Sequence, residues 1–387
     1  ATKHHFPQTP LGSASLRGFG EMEGLLSEPI ELIRVQRSGS SGFRCTVAET
    51  QGRRAEHEDS HAMSCVGKTA SFWVLDGHRG EGVAKLGALA LVQAVGKSVE
   101  SGELPSDPQI EEGFVAVDQE LQDRYMKTQS KRHDSGSTVV GALIVQEKDL
   151  SYSIKLMNCG DSRGVVVRGP AEEESTAARV LVHLPQHLKS YEYVEAFSAG
   201  GASWLPDWPA VVESIDHKPH HPTEKARIEA AGGKVIGGRV ARVDGHLSTS
   251  RGLGDFKFKG DSTRPVGEQK ISCVPDIYEV TGVQPGSLLI LGCDGLWDVM
   301  SSEKAAAFVR ARLQREPEAD LGDVATALIR ASLRKGSRDN VTVMLVQFSD
   351  GSAWENAQDE MQGFEKLQQQ RNIDEQIRGQ YLGFLDR

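Results

Sequence analysis

The chain has 387 residues, 44 of them Lys or Arg and 54 Asp or Glu, giving a formal charge of −10 spread along its length. That balance argues against a surface built for nucleic acid or anionic lipid and suits a cation-binding protein. No apolar run approaches the roughly 20 residues of a membrane helix, and the opening "ATKHHFPQTPLGS" lacks the charged-then-apolar order of a signal peptide. The expectation is a soluble monomer of the cytoplasm or nucleus. Five cysteines (Cys45, Cys65, Cys159, Cys273, Cys293) are odd in number and mostly flanked by apolar residues, as buried reduced thiols would be. The paired spacing of a structural zinc site is absent from them.

In chain order, residues 1–41 are rich in Gly, Ser and Pro and read as an N-terminal extension, with "RSGSSG" as a linker. The main domain is expected over 42–349. It opens with short strands and the "FWVL" strand, followed by two helix patterns. In the second, Ile110, Phe114, Val117, Leu121 and Tyr125 recur at steps of four and three, one face of a helix. Three β-branched runs follow at 137–145, 151–157 and 163–168, with links too short for a crossover helix, so they are expected to pair antiparallel. Residues 170–213, with Trp204 and Trp208 between prolines, read as a surface insertion. A short helix begins at Pro222 and ends before Gly232-Gly233.

The last third reads as a strand at 288–291, helices over 302–315 and 320–333, and an alternating strand at 340–348. Leu321, Val324, Ala325, Leu328 and Ile329 form the buried stripe of the second helix. Residues 350–387 are polar and Gln-rich and read as a helical tail. Hairpins with separate helices, instead of alternating β-α-β units, indicate an α+β fold.

Several phosphate and hydrolase signatures are missing. There is no G-x-S-x-G nucleophile elbow. Gly67-Lys68-Thr69 and Gly96-Lys97-Ser98 suggest a nucleotide loop, but Ala62 and Leu91 stand where its first glycine belongs. A cysteine phosphatase needs Arg six residues after its nucleophile, and here those positions hold Gln51, Ser71, Val165, Glu279 and Val299.

What remains is a set of carboxylates at turns after apolar runs: Glu56, Glu58, Asp59, Asp76, Asp161, Asp255, Asp294, Asp298 and Asp339. Singly, an Asp beside Gly is a turn residue. Grouped at strand ends, carboxylates raise one another's pKa unless a cation sits among them, which points to a hard divalent metal held through oxygen.

At this point the motifs "RRAEHEDSH", "VLDGHRG", "DSGST", "NCGDSR", "DHKPHHPTEKARIEAAGGKV", "LSTSRGLGDFKFK", "CVPDIYEV", "LILGCDGLWDVM" and "GSRDNVTVMLVQF" resemble, in order, the metal-dependent protein serine/threonine phosphatases of type 2C. The resemblance covers 43–348. It implies a four-layer αββα sandwich, two antiparallel sheets flanked by helices, with two Mg²⁺ or Mn²⁺ ions at one end. It also implies hydrolysis of phosphoserine and phosphothreonine on proteins by a metal-bridged hydroxide, with no phosphoenzyme.

Asp76 matches the bridging carboxylate, Gly77 a carbonyl ligand, and Glu58, Asp294 and Asp339 the other protein ligands. Asp59 and Asn340 match positions that hold metal-bound waters. Asp161, Asp294 and Asp298 match a third, weaker metal position seen in some members. Arg54 matches the phosphate-binding arginine, suited by its planar fork, and His78 the candidate general acid for a poor alkoxide leaving group. Thr138, Arg251 and Asp255 match positions near the centre, with structural and functional roles both open. His57, His61, His217, His220 and His221 read as structural.

The sequence departs from the family's usual Asp-Gly-His-Gly-Gly by placing Arg79 at the first of the last two glycines, which predicts a turn that does not depend on positive φ there. Two other readings share these residues: a fold kept as a binding module after loss of its metals, and a related hydrolase of nucleotides or small phosphoesters. The intact ligand set argues against the first and the missing nucleotide loop against the second.

Overall fold

The computed structural model describes residues 25–128, 135–169, 180–190, 210–238, 240–348 and 359–363. The first part contains β1 (Leu25–Ile30), β2 (Ile33–Ser40), β3 (Phe43–Thr50), β4 (Gly52–Arg54), β5 (Ser60–Val66), β6 (Thr69–Leu75) and β7 (Gly77–His78), then helices α1 (Gly82–Ala94) and α2 (Asp107–Thr128). The middle contains β8 (Gly136–Ser137), β9 (Val139–Gln146), β10 (Tyr152–Cys159), β11 (Arg163–Val167), β12 (Leu181–His183), β13 (Ala210–Glu213), α3 (Pro222–Ala230), β14 (Val235–Ile236), β15 (Arg242–Val243) and β16 (Leu253–Gly254). The last part contains β17 (Asp276–Val283), β18 (Leu288–Gly292), α4 (Asp294–Trp297), α5 (Ser302–Arg315), α6 (Leu321–Arg334), β19 (Val341–Phe348) and β20 (Glu360–Gln362).

Two large antiparallel sheets dominate, one ordered β12-β17-β10-β9-β6-β5 and the other β13-β11-β18-β19-β3-β2-β20. Side chains alternate across a strand with a period of two, and β6 uses both faces. Phe72 and Val74 enter the core between the sheets, while Trp73 and Leu75 pack under α1 and α2. In β18, Leu289 and Leu291 face the other sheet and Leu288 and Ile290 face α5 and α6. Such strands read as continuous apolar runs because neither face meets water. Helices thus lie outside both sheets, in keeping with the α+β expectation.

The helix patterns hold where they were strongest. Ile110, Phe114, Val117 and Leu121 of α2 are fully buried. The α6 stripe is buried as well, and Asp320 caps that helix by accepting from the Asp323 amide.

Four readings change. First, β11 does not pair with β10: it crosses to the other sheet and lies between β13 and β18, because a short link permits a change of sheet as readily as a hairpin. Second, "RSGSSG" is the turn region of the β2–β3 hairpin, with Ser40 opposite Phe43. Ile33 and Val35 face the helices as part of the second sheet. Third, within the insertion, β12 and β13 extend the two sheets at their edges, while Trp204 and Trp208 lie outside the described residues. Within the tail, β20 pairs with β2, and the remainder of 350–387 lies outside the described residues. Fourth, Gly82–Ser101 does reach the length and hydropathy of a membrane span. In the fold it is α1 with a 3-10 turn, and its apolar side chains Val83, Ala84, Ala88 and Leu91 are buried in the core beneath the first sheet.

A buried ionic network fixes the segment between α3 and β17. Arg251 pairs with Glu224 Oε1 and Asp276 Oδ1, both at 2.7 Å, and His217 Nε2 lies 3.1 Å from Asp276 Oδ2. These contacts support a structural role for Arg251 and His217. Burial alone would raise the Glu224 carboxyl, but Arg251, then His217 and Arg227, draw it down to about 2. A depressed carboxyl pKa stabilises the fold above the unfolded value near 4.3 and loses that contribution as pH falls toward the folded value. Glu224 is therefore expected to contribute about 3 kcal/mol at neutral pH, lost between about pH 5 and pH 2. Urea melts across that range should show a flatter acid limb in Glu224→Gln, and an unchanged slope would contradict the assignment.

Candidate metal centre

Two of the long buried strands end at the same place. β6 runs out at Leu75 and presents Asp76; β18 runs out at Gly292 and presents Asp294 as the first residue of α4. Asp339 precedes β19, Glu58 and Asp59 precede β5, and Asp161 sits where the chain passes from β10 to β11. Arg54, Glu58, Asp76, Gly77, His78, Asp161, Asp294 and Asp339 line one cleft. The structure brings these sequence candidates together; Asp298 opens on the adjoining hollow beside Asp294.

The backbone holding this cluster is tightly determined. Asp76 O accepts from the Thr138 amide at 2.9 Å and from Ser137 Oγ at 3.1 Å, and Thr138 Oγ1 is 2.6 Å from Ser162 Oγ. Thr138 is therefore a positioning residue for Asp76. A Cβ at Gly77 would lie 2.4 Å from Glu58 O, so only glycine lets these two segments meet. Asn340 commits its amide to the 51–58 loop: Oδ1 accepts from the Glu58 amide at 2.8 Å, and Nδ2 donates to Gln51 O and Glu56 O.

The electrostatics show an unmet need for positive charge. Burial, then Asp294, Asp59, Asp339 and Asp161, push the Asp76 carboxyl well above the ordinary carboxylate value. Burial, then Asp161, Asp339 and Asp298, do the same to Asp294. Asp59 is pushed up to about 6, chiefly by burial, and its Oδ1 is buried without a hydrogen-bond partner. One ligand atom each from Asp59, Asp76 and Cys293 lies within 4.8 Å of the others. Among the described residues two basic side chains pair with members of the cluster: Arg54 with Asp339, and Lys218 with Asp161 at 2.6 Å. A hard divalent cation fits this oxygen-rich donor set.

Opposite the carboxylates, His78 Nε2 lies 2.8 Å from Oδ2 of the fully buried Asp255. A Cβ at Gly136 would come within 2.1 Å of that oxygen and 2.6 Å of the histidine nitrogen, so Gly136 makes room for the pair. Burial opposes a charge on His78, yet Asp255 raises its pKa above the ordinary histidine value. Cys45, Cys159, Cys273 and Cys293 are buried, and burial pushes the Cys293 thiol well above its usual range.

The family model described as "Protein phosphatase 2C" matches residues 41–182 and 211–341. The chain belongs to the protein phosphatase 2C family. It is 31% identical over 347 residues to "Protein phosphatase 1B" of Homo sapiens, covering 85% of this chain and 62% of that protein. It is 33% identical over 343 residues to "Protein phosphatase 1A" of Bos taurus, covering 84% and 76%. The chain thus spans somewhat less than two thirds of the human relative. A solved structure titled as a phosphatase from a pathogenic strain of Toxoplasma gondii shares the fold, with a TM-score of 0.65 at 24% identity over 86% of this chain and 99% of that one.

Within this protein phosphatase 2C fold the reading of Arg79 is corrected. Its φ is 59°, so the turn does adopt the left-handed conformation, with an arginine in it. The neighbours impose this: His78 is tied to Asp255, and the Gly80 amide donates to Glu58 Oε1. Arg79→Gly is expected to gain about 1 kcal/mol of stability by relieving that backbone, visible as a higher urea midpoint. A lower midpoint would mean that the guanidinium makes contacts worth more than the strain.

Sequence reasoning missed three side chains here: Lys218, which pairs with Asp161, and Arg242 of β15 and the nearby His246, which line the cleft without any motif to mark them.

Proposed function

We propose that the chain is a metal-dependent phosphatase acting on phosphoserine and phosphothreonine in proteins, with water attacking phosphorus directly and no phosphoenzyme. The observation that carries this is the convergence of Asp76 and Asp294, from different sheets, on a cleft that also holds Arg54 and His78. Asp76, Gly77, Glu58, Asp294 and Asp339 would hold two Mg²⁺ or Mn²⁺ ions, with Asp59 and Asn340 behind them and Asp161, Asp294 and Asp298 around a third, weaker position. When bound, such ions acidify the attacking water and neutralise charge on the phosphoryl oxygens.

The chain's own residues do the rest. Arg54 stands exposed at the cleft, and its planar fork is suited to two phosphoryl oxygens. His78 is anchored through Nε2, so Nδ1 is the atom left to deliver a proton to the departing seryl or threonyl oxygen. The buried, protonated Cys293 beside the carboxylates supports water as the nucleophile over a thiolate. We take the protein to act as a monomer in the cytoplasm or nucleus; its five free cysteines suit the reducing conditions of those compartments.

The test is hydrolysis of a phosphothreonine peptide with Mg²⁺ or Mn²⁺, halted by EDTA. Hydrolysis of a phosphothreonine substrate made chiral at phosphorus should invert its configuration, as one direct displacement by water requires. Activity indifferent to EDTA, or a trapped phosphoprotein, would overturn the reading.

A further inference from the structure

The carboxylates assigned above to a third metal position already face a cation that belongs to the protein. Lys218 Nζ donates to Asp161 Oδ2 at 2.6 Å. Asp161 lines the same cleft as Asp294, and Asp298 lies beside Asp294 in the adjoining hollow. These are the same three residues.

The placement of Lys218 is built, not incidental. On one side of it, Asp216 accepts both arms of the Arg163 guanidinium, each at 2.9 Å. The next residue, His217, donates its amide to Gly160 O at 2.9 Å and accepts the Gly160 amide on Nδ1 at 3.1 Å. Both contacts fasten the lysine's backbone to the β10–β11 crossing that carries Asp161. Arg163 also lies over the Trp297 ring, 5.4 Å from its centroid, and Trp297 belongs to α4, the short helix between Asp294 and Asp298. One arginine therefore couples the lysine's loop to the helix that supplies the other two carboxylates.

We propose that the Lys218 ammonium is the resident cation of the Asp161, Asp294 and Asp298 group, so that two divalent ions bind tightly and a third enters only by displacing the lysine. This rests on the two-metal reading above. A unit positive charge in contact with a shared carboxylate repels an incoming divalent ion and occupies one of its oxygen ligands. Removing it should strengthen third-ion binding by roughly tenfold or more.

The experiment counts bound Mn²⁺ by the electron paramagnetic resonance of free Mn²⁺ in wild type, Lys218→Met and Lys218→Arg. Wild type and Lys218→Arg should each hold two ions tightly and a third weakly, and Lys218→Met should bind the third at least about tenfold more tightly. A second measurement needs no variant. Amine acetylation read by mass spectrometry should find Lys218 protected at low Mn²⁺ and reactive once Mn²⁺ saturates the weak site.

Third-ion affinity that is unchanged or weaker in Lys218→Met, or acetylation of Lys218 that does not rise with Mn²⁺, would overturn the inference while leaving two tight ions and the proposed function standing. Fewer than two tight ions in the wild type would overturn both.

Discussion

Asp76→Asn and Asp294→Asn are each expected to lower turnover of a phosphothreonine peptide by roughly a thousandfold or more, with the fold retained. The loss follows from their place at the centre of the carboxylate cluster, each arriving from a different sheet. The same variants carry a second, opposite signature. With no metal to balance them, these carboxylates are destabilised by burial and by one another, so converting one to an amide relieves the metal-free protein. In EDTA, each variant should melt above the wild type by about 2 to 4 °C for every kcal/mol of repulsion removed. In Mg²⁺ the order should reverse, since only the wild type gains the stabilisation that a ligand confers on the state it binds. Full turnover in either variant, or a lower melting temperature in EDTA, would refute the shared-cation account.

His78→Ala is expected to slow a phosphothreonine peptide by roughly 10²- to 10⁴-fold and para-nitrophenyl phosphate far less, because nitrophenolate departs without a proton. Asp255→Asn should show the same dependence on leaving group at smaller magnitude: the ring keeps a neighbour 2.8 Å away in position but loses the charge that holds it protonated. Equal losses on the two substrates would remove His78 as the proton donor and leave Asp255 with a purely structural role.

The sequence was most legible where one local pattern met one structural demand. The β6 and β18 runs were readable as strands because every residue in them is buried, and their Asp-Gly ends were readable as a site because charge at the end of such a run needs a reason. The family motifs marked the remaining carboxylates of the cleft and the general architecture. Legibility failed where a contact depended on topology. The pairing of Lys218 with Asp161 requires β11 to leave one sheet for the other, and link length carries no information about which sheet a strand joins. It failed again at Arg79, where arginine's own backbone preference is overruled by the fastenings of His78 and Gly80 on either side. Asp255 sat between: its motif marked it, but only the space at Gly136 shows which side chain it serves.

The division of the carboxylates between sheets has a mechanical consequence. Asp76 continues β6 of one sheet, Asp294 and Asp339 flank β18 and β19 of the other, and Asp161 lies on the crossing between them. The spacing of the centre is therefore a readout of how the two sheets are offset. α1 and α2 pack on the first sheet, and α5 and α6 on the second. Relative sliding of the two sheets would change the carboxylate separation. The centre is a vernier between two plates, and its ions would serve as the pin that locks it.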